Sequence, residues 1–259
     1  MDHISIIPWS QVVAYTKKHC NETVQAILEE FQRRGKAKIH QIQALLTSDT
    51  GLQTFELCGH IRMDHPGDMN FYVDTSAVGW DVKYNRPVSM SKLHGLDPIW
   101  HLHPVNSMPF FDPYKKTFMS NFFSQQDVDW CVTNPLNISV ICNKVSESLV
   151  FPFPCIYVFM FVPHLVQQVD AKTGKSVPTA ELHHTYTAYQ RRVVPDVLSK
   201  IKNFATTQKD CEIYWPEIVD EFRKRCIIMR YLYNYDEFEL YRIIRTLQRD
   251  YGESFHTRR

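Results

Sequence analysis

His101-Leu102-His103-Pro104 constrains this chain more than any other segment. In an extended strand successive side chains alternate between faces, so histidines two positions apart stand on the same side of the pleat. Two imidazoles on one side suit a metal ion, and a complete site then needs a third ligand delivered from elsewhere. The candidate is Asp127 of Ser124-Gln125-Gln126-Asp127, which reads as a helix start. The fold must therefore carry residues 99–103 as a strand and bring the chain back to it later.

The remaining pattern is compatible with such a fold. Ser10 to Arg34 has apolar residues at three-to-four spacing (Val12, Val13, Tyr15, Val24, Ile27, Leu28, Phe31), which predicts helix, with Gly35 as its stop. A short helix is expected over Ile39 to Leu46, a strand over Leu52 to Met63, and another within Asn70 to Val78. A turn at Tyr84-Asn85-Arg86-Pro87 leads on to the histidine strand, Ile99 to His103. Val105 to Phe123 reads as an irregular, aromatic-rich loop, followed by helix over Ser124 to Val132 and strands over Ile138 to Asn143 and Ile156 to Val162. From about Thr179 the spacing is helical to the end, most clearly in Pro216 to Tyr231 and Asp236 to Tyr251. Alternating helices and strands argue an α+β or α/β core. The division expected is an N-terminal helical extension (1–37), a core (38–165, with an insertion at 105–123) and a C-terminal helical region (166–259).

Composition removes several alternatives. A net charge of +1 gives no general electrostatic case for nucleic acid or an anionic membrane. The most apolar stretch, Leu149 to Val162, is too short to span a bilayer and is broken by Pro152 and Pro154, so it reads as buried strand. Seven scattered cysteines without a Cys-x-x-Cys pair suggest neither a disulfide framework nor a structural zinc site. With no basic flank or apolar core of a signal peptide at Met1-Asp2-His3-Ile4-Ser5, an intracellular setting, cytoplasm or nucleus, is expected.

Each piece of the candidate site also has an ordinary reading. Ser124-x-x-Asp127 fits a capping box, a common helix start. A His-x-His pair is often surface or hydrogen-bonded core, and Glu56 would serve as a paired strand glutamate. If the ligands are His101, His103 and Asp127, however, a fourth tetrahedral position stays open for water, as in catalytic zinc sites.

In combination, Glu56-Leu57-Cys58-Gly59, then Trp100-His101-Leu102-His103-Pro104, then Ser124-Gln125-Gln126-Asp127 resembles the JAMM (MPN+) metallo-isopeptidases. The resemblance covers roughly Ile39 to Phe161, about half the chain. It implies a JAMM/MPN-like (cytidine-deaminase-like) core, a mixed central sheet flanked by helices, here with an N-terminal helix and a C-terminal helical extension. It also implies one Zn²⁺ held by His101, His103 and Asp127, with Glu56 as general base and Ser124 donating to the oxyanion. The activity implied is that of a deubiquitinase-like metalloprotease, cleaving isopeptide bonds of ubiquitin or a ubiquitin-like modifier, with a multi-subunit assembly as possible context.

Two departures stand out. Leu102 occupies the position between the histidines where the family often has a small polar residue, but it faces away from the metal. Nineteen residues separate Pro104 from Ser124, a long spacer, although closure cost grows slowly with length. That insertion carries Phe110, Phe111, Tyr114 and Phe118, and is open between a substrate-contacting lid, a partner interface and a locally packed loop. Glu181-Leu182-His183-His184 reads as a surface helix start sooner than a second metal site. His60, His65 and His94 flank the motifs, and Cys58 reads as a buried, inert thiol. Two other functions remain open: a non-catalytic structural or interaction protein on the same scaffold, and another metal-dependent amide or peptide hydrolase.

Overall fold

The N-terminal apolar stretch expected as one helix folds as two, α1 (Trp9–His19) and α2 (Glu22–Arg34). Asn21 causes the break: its side-chain oxygen accepts the Val24 amide at 3.0 Å and caps a new helix. Helix α2 buries Val24, Ile27, Leu28 and Phe31, an i, i+3, i+4, i+7 stripe, and stops at Gly35 in the left-handed region (φ 70°), the stop expected. β1 (Lys36–Ala37) and α3 (Ile39–Thr47) follow. These elements come from a computed structural model that describes residues 8–47, 55–74, 79–80, 97–102, 127, 130–131, 134–143, 155–162, 219–220, 222–223 and 226–252, with only the backbone of 55–56 and 79–80.

The strand expected over Leu52 to Met63 is divided at Leu57 into β2 (Phe55–Glu56) and β3 (Cys58–Met63). Next come β4 (Met69–Val73), β5 (Gly79–Trp80), β6 (Ile99–Leu102), β7 (Ile138–Cys142), β8 (Ile156–Phe161) and β9 (Ile227–Leu232). α4 (Glu237–Leu247) continues into a π-helical turn over Gln248–Gly252. Seven strands form one sheet in the order β1-β4-β3-β6-β7-β8-β9, and β2-β5 make a separate pair. Every neighbour pair is antiparallel except β6 with β7. The protein is thus of mixed α+β class, a mixed sheet with a few helices. Among the described residues no helix is long and apolar enough to cross a membrane.

Strand β9 corrects one expectation. Pro216 to Tyr231 was expected as helix; among its described residues 219–220 and 222–223 are helical. Cys226 takes a positive φ (63°) and turns the chain, and Ile227–Leu232 then pairs with the whole of β8. The apolar run Ile227-Ile228-Met229 serves either period, and an open edge beside β8 decides the outcome. The C-terminal part of the chain therefore completes the central sheet and is not purely helical.

Burial on both faces explains why β6 to β8 are largely apolar, with His101 and Ser139 as polar interruptions. Trp100, Leu102, Val140 and Val158 point into one cluster with the apolar stripes of α2, α3 and α4. Trp100 anchors it, stacking at 6.3 Å on Phe31 and meeting Phe71 edge-on at 5.6 Å. The alternate residues, His101, Ile141, Tyr157 and Phe159, are equally buried on the opposite face. This alternation sends His101 away from the helix-covered core.

Strands β3 and β4 approach closely at Gly59. A Cβ on Gly59 would lie 1.7 Å from the Tyr72 carbonyl oxygen, which also accepts the Trp100 indole N–H at 2.8 Å. Backbone cannot yield as a side chain can, so Gly59→Ala is expected to destabilise by about 3 kcal/mol or more. Urea unfolding checks this; an unchanged midpoint would contradict the close β3–β4 packing.

Candidate metal centre

The candidate centre is built on the sole parallel pair among the described strands. Trp100 stands against Val140, His101 against Ile141 and Leu102 against Cys142. Parallel neighbours cannot be joined by a two-residue turn, so β6 and β7 need the long connection that residues 103–137 supply. Asp127 belongs to that connection. Open sheets containing parallel strands commonly place ligands beyond the strands' carboxyl ends, here the ends of β6 and β7.

The structure brings two of the expected ligands together. His101 is fully buried, Asp127 is 3% exposed, and His101 Nε2 lies 3.0 Å from Asp127 Oδ1. Asp127 is helical, as the capping-box reading expects. An unpaired carboxylate in these surroundings would be costly, and the imidazole relieves that cost. The same pair suits a cation. Imidazole nitrogen and carboxylate oxygen are donors that zinc takes, and two ligands on tetrahedral bonds of about 2.0–2.1 Å stand roughly 3.3 Å apart. The observed separation is close to that spacing.

Several buried thiols occur in the same sheet and beside Asp127. Cys58 pairs with His101 across β3 and β6 and is buried. Burial pushes the Cys131 thiol up to about 12, and the neighbouring Asp127 carboxylate pushes it the same way. Burial likewise raises Cys155 to about 12 and Cys226 to about 11. Thiolate is the reactive form, so the folded protein at pH 7.5 is expected to leave these three cysteines unmodified by iodoacetamide, with labelling appearing on denaturation. Peptide mass mapping of native and urea-treated protein reads this out; rapid native labelling of Cys131 would contradict its burial.

Glu56 is placed by its backbone. It pairs with Gly79 on β5 and precedes Cys58 by two residues. The intervening Leu57 carbonyl accepts the Leu102 amide at 2.9 Å, which brings this segment to the carboxyl end of β6. His103 and Ser124 lie outside the described residues, as do Phe110, Phe111, Tyr114 and Phe118 of the insertion. His94 and the Glu181, His183, His184 cluster lie outside them too. Among the described residues no group of three or more His, Cys, Asp and Glu side chains is gathered for a metal ion. His101 and Asp127 form a pair.

His60 shares the His101 face of the sheet but lies two residue pairs further from the β6 carboxyl end, opposite Ile99. Its ring stacks on Tyr72 at 4.8 Å, and burial holds its pKa below the ordinary histidine value, against the opposing pull of Asp97. Sequence reasoning missed Asn143, just past β7. Asn143 is fully buried, and neither its carboxamide nitrogen nor its oxygen has a hydrogen-bond partner. Its one sequence signal is a polar residue directly after the strand Ile138–Cys142.

No protein-family model, no curated protein and no solved structure matches this chain.

Proposed function

We propose that this chain is a zinc-dependent isopeptidase with a JAMM/MPN-like core, acting on conjugates of ubiquitin or a ubiquitin-like modifier. The observation that carries the reading is the buried approach of His101 to Asp127 at 3.0 Å, on the sheet face that strand alternation assigns to the histidine. The backbone of Glu56 at the end of β6 gives it further support.

In this reading His101, His103 and Asp127 hold the ion. Zinc, when bound there, supplies a Lewis acid that makes water nucleophilic near neutral pH and polarises the scissile carbonyl. Glu56 accepts the proton of the attacking water and returns it to the departing lysine amine. The Ser124 hydroxyl donates to the carbonyl oxygen as charge develops on it. The burial of His101 and Asp127 strengthens the electrostatic interactions between them. The insertion with Phe110, Phe111, Tyr114 and Phe118 is assigned to contact with the modifier or a partner subunit.

The direct His101–Asp127 contact also favours a second reading, a structural protein whose histidine and carboxylate satisfy each other without metal. Linkage-defined ubiquitin chains and an isopeptide-linked fluorogenic substrate, incubated with zinc-supplemented protein, separate the two. Cleavage that stops with a zinc chelator and returns with added zinc is expected. Absence of cleavage by protein that holds stoichiometric zinc would favour the structural reading.

A further inference from the structure

We propose that the pairing of Trp100 with Gly59 is the register key of the candidate centre, with Trp100 as its positioning residue. The indole ties β6 to β4 across β3, and so fixes His101 against the segment that leads on from Glu56. What that register does for catalysis rests on the zinc reading above; that the indole sets the register does not.

The observations lie along three neighbouring strands. Trp100 is fully buried and stands opposite Gly59 on β3. Its indole N–H reaches past that glycine and donates to the Tyr72 carbonyl on β4 at 2.8 Å. Phe31 stacks on the ring at 6.3 Å and Phe71 meets it edge-on at 5.6 Å, which holds the indole in one orientation. A Cβ on Gly59 would meet the same Tyr72 carbonyl oxygen at 1.7 Å, so the arrangement needs a residue without a side chain opposite the tryptophan. An aromatic side chain set against a strand glycine pins the register of the pair.

The pairing so pinned is short. β3 and β6 share three residue pairs, Cys58 with His101, Gly59 with Trp100 and His60 with Ile99. A slip of one residue would turn His101 into the helix-covered core and Trp100 out of it. A slip of two would set the indole against Leu57 or Ile61, whose branched side chains are both fully buried. In the observed register His101 lies 3.0 Å from Asp127, and the Leu102 amide donates to the Leu57 carbonyl, next to Glu56, at 2.9 Å. Trp100 thus acts on the centre through the residue that follows it in β6.

Trp100→Phe keeps a buried aromatic ring and removes the N–H. Leu240→Ala truncates the α4 side of the core, leaves the indole bond in place, and serves as control once urea has brought the two proteins to equal global stability. The Leu102 and Ile61 amides bond Leu57 and Pro98 across the β3–β6 pair. In metal-free Trp100→Phe their hydrogen exchange is expected to be about 5-fold or more faster than in the control, the effect of losing one buried hydrogen bond. In the zinc-loaded protein Trp100→Phe is expected to lower kcat on the fluorogenic isopeptide substrate by about 10–100-fold with KM near wild type, because a shift of ~1 Å in a reacting group costs up to about 100-fold. Leu240→Ala should keep the wild-type kcat. If Trp100→Phe does not fold, benzothienylalanine at position 100, isosteric but with sulfur in place of the N–H, is expected to give the same two results. Unchanged exchange at Leu102 and Ile61 overturns the register role. Faster exchange with wild-type kcat, or an equal loss of kcat in Leu240→Ala, overturns the positioning role and leaves the zinc reading intact. A wild-type chain that cleaves no isopeptide overturns the zinc reading and the positioning role with it, while amide exchange still decides whether the indole sets the register.

Discussion

Glu56→Gln is expected to lower isopeptide cleavage by about 10²–10⁴-fold, the range that a positioned general base contributes, with zinc content unchanged. Glutamine keeps the size and one hydrogen-bonding oxygen but cannot take the proton of the attacking water. Glu56 is not among the proposed ligands, so the metal should remain. The measurement is kcat on a fluorogenic isopeptide substrate alongside zinc per chain. Undiminished turnover would remove Glu56 from the mechanism, and loss of zinc would turn it into a ligand.

The second large effect is on stability as well as metal binding. His101→Ala leaves the buried Asp127 carboxylate without the imidazole 3.0 Å away, and breaking a buried pair from one side costs about 3–5 kcal/mol. The variant should also lose zinc. Asp127→Asn tests the same contact more gently, because a carboxamide oxygen still accepts a hydrogen bond where the charge is gone. Its metal-free stability is expected to stay closer to wild type than that of His101→Ala, while its zinc affinity falls. Denaturant unfolding of the metal-free proteins, paired with zinc titrations, reads both. Wild-type stability in His101→Ala would contradict the burial of this pair.

Much of the sheet and the first helices was legible because their signals are local. The α2 stripe at Val24, Ile27, Leu28 and Phe31 and the glycine that ends it are set by neighbours in sequence. The apolar runs of β6, β7 and β8 are likewise bounded by polar or turn residues. What escaped depended on competition or distance. The break at Asn21 is hidden because a single cap interrupts an otherwise continuous apolar period. Ile227–Leu232 is a strand because β8 offers it an edge, and that edge is distant in sequence.

The site divides the same way. His101 and Asp127 were named because metal chemistry restricts the residue types that serve, and the fold places them side by side. Asn143 carries no such signature. An asparagine after an apolar run reads as the end of a strand, and only its burial with an unpartnered carboxamide sets it apart.

We propose one zinc ion at the end of β6. The most direct test is metal content by elemental analysis of the purified chain after zinc loading and removal of excess metal, beside His101→Ala and Asp127→Ala prepared in parallel. One zinc per wild-type chain and essentially none in folded forms of either variant is the predicted result. Zinc-free wild-type protein, or zinc retained in full by both variants, would contradict it.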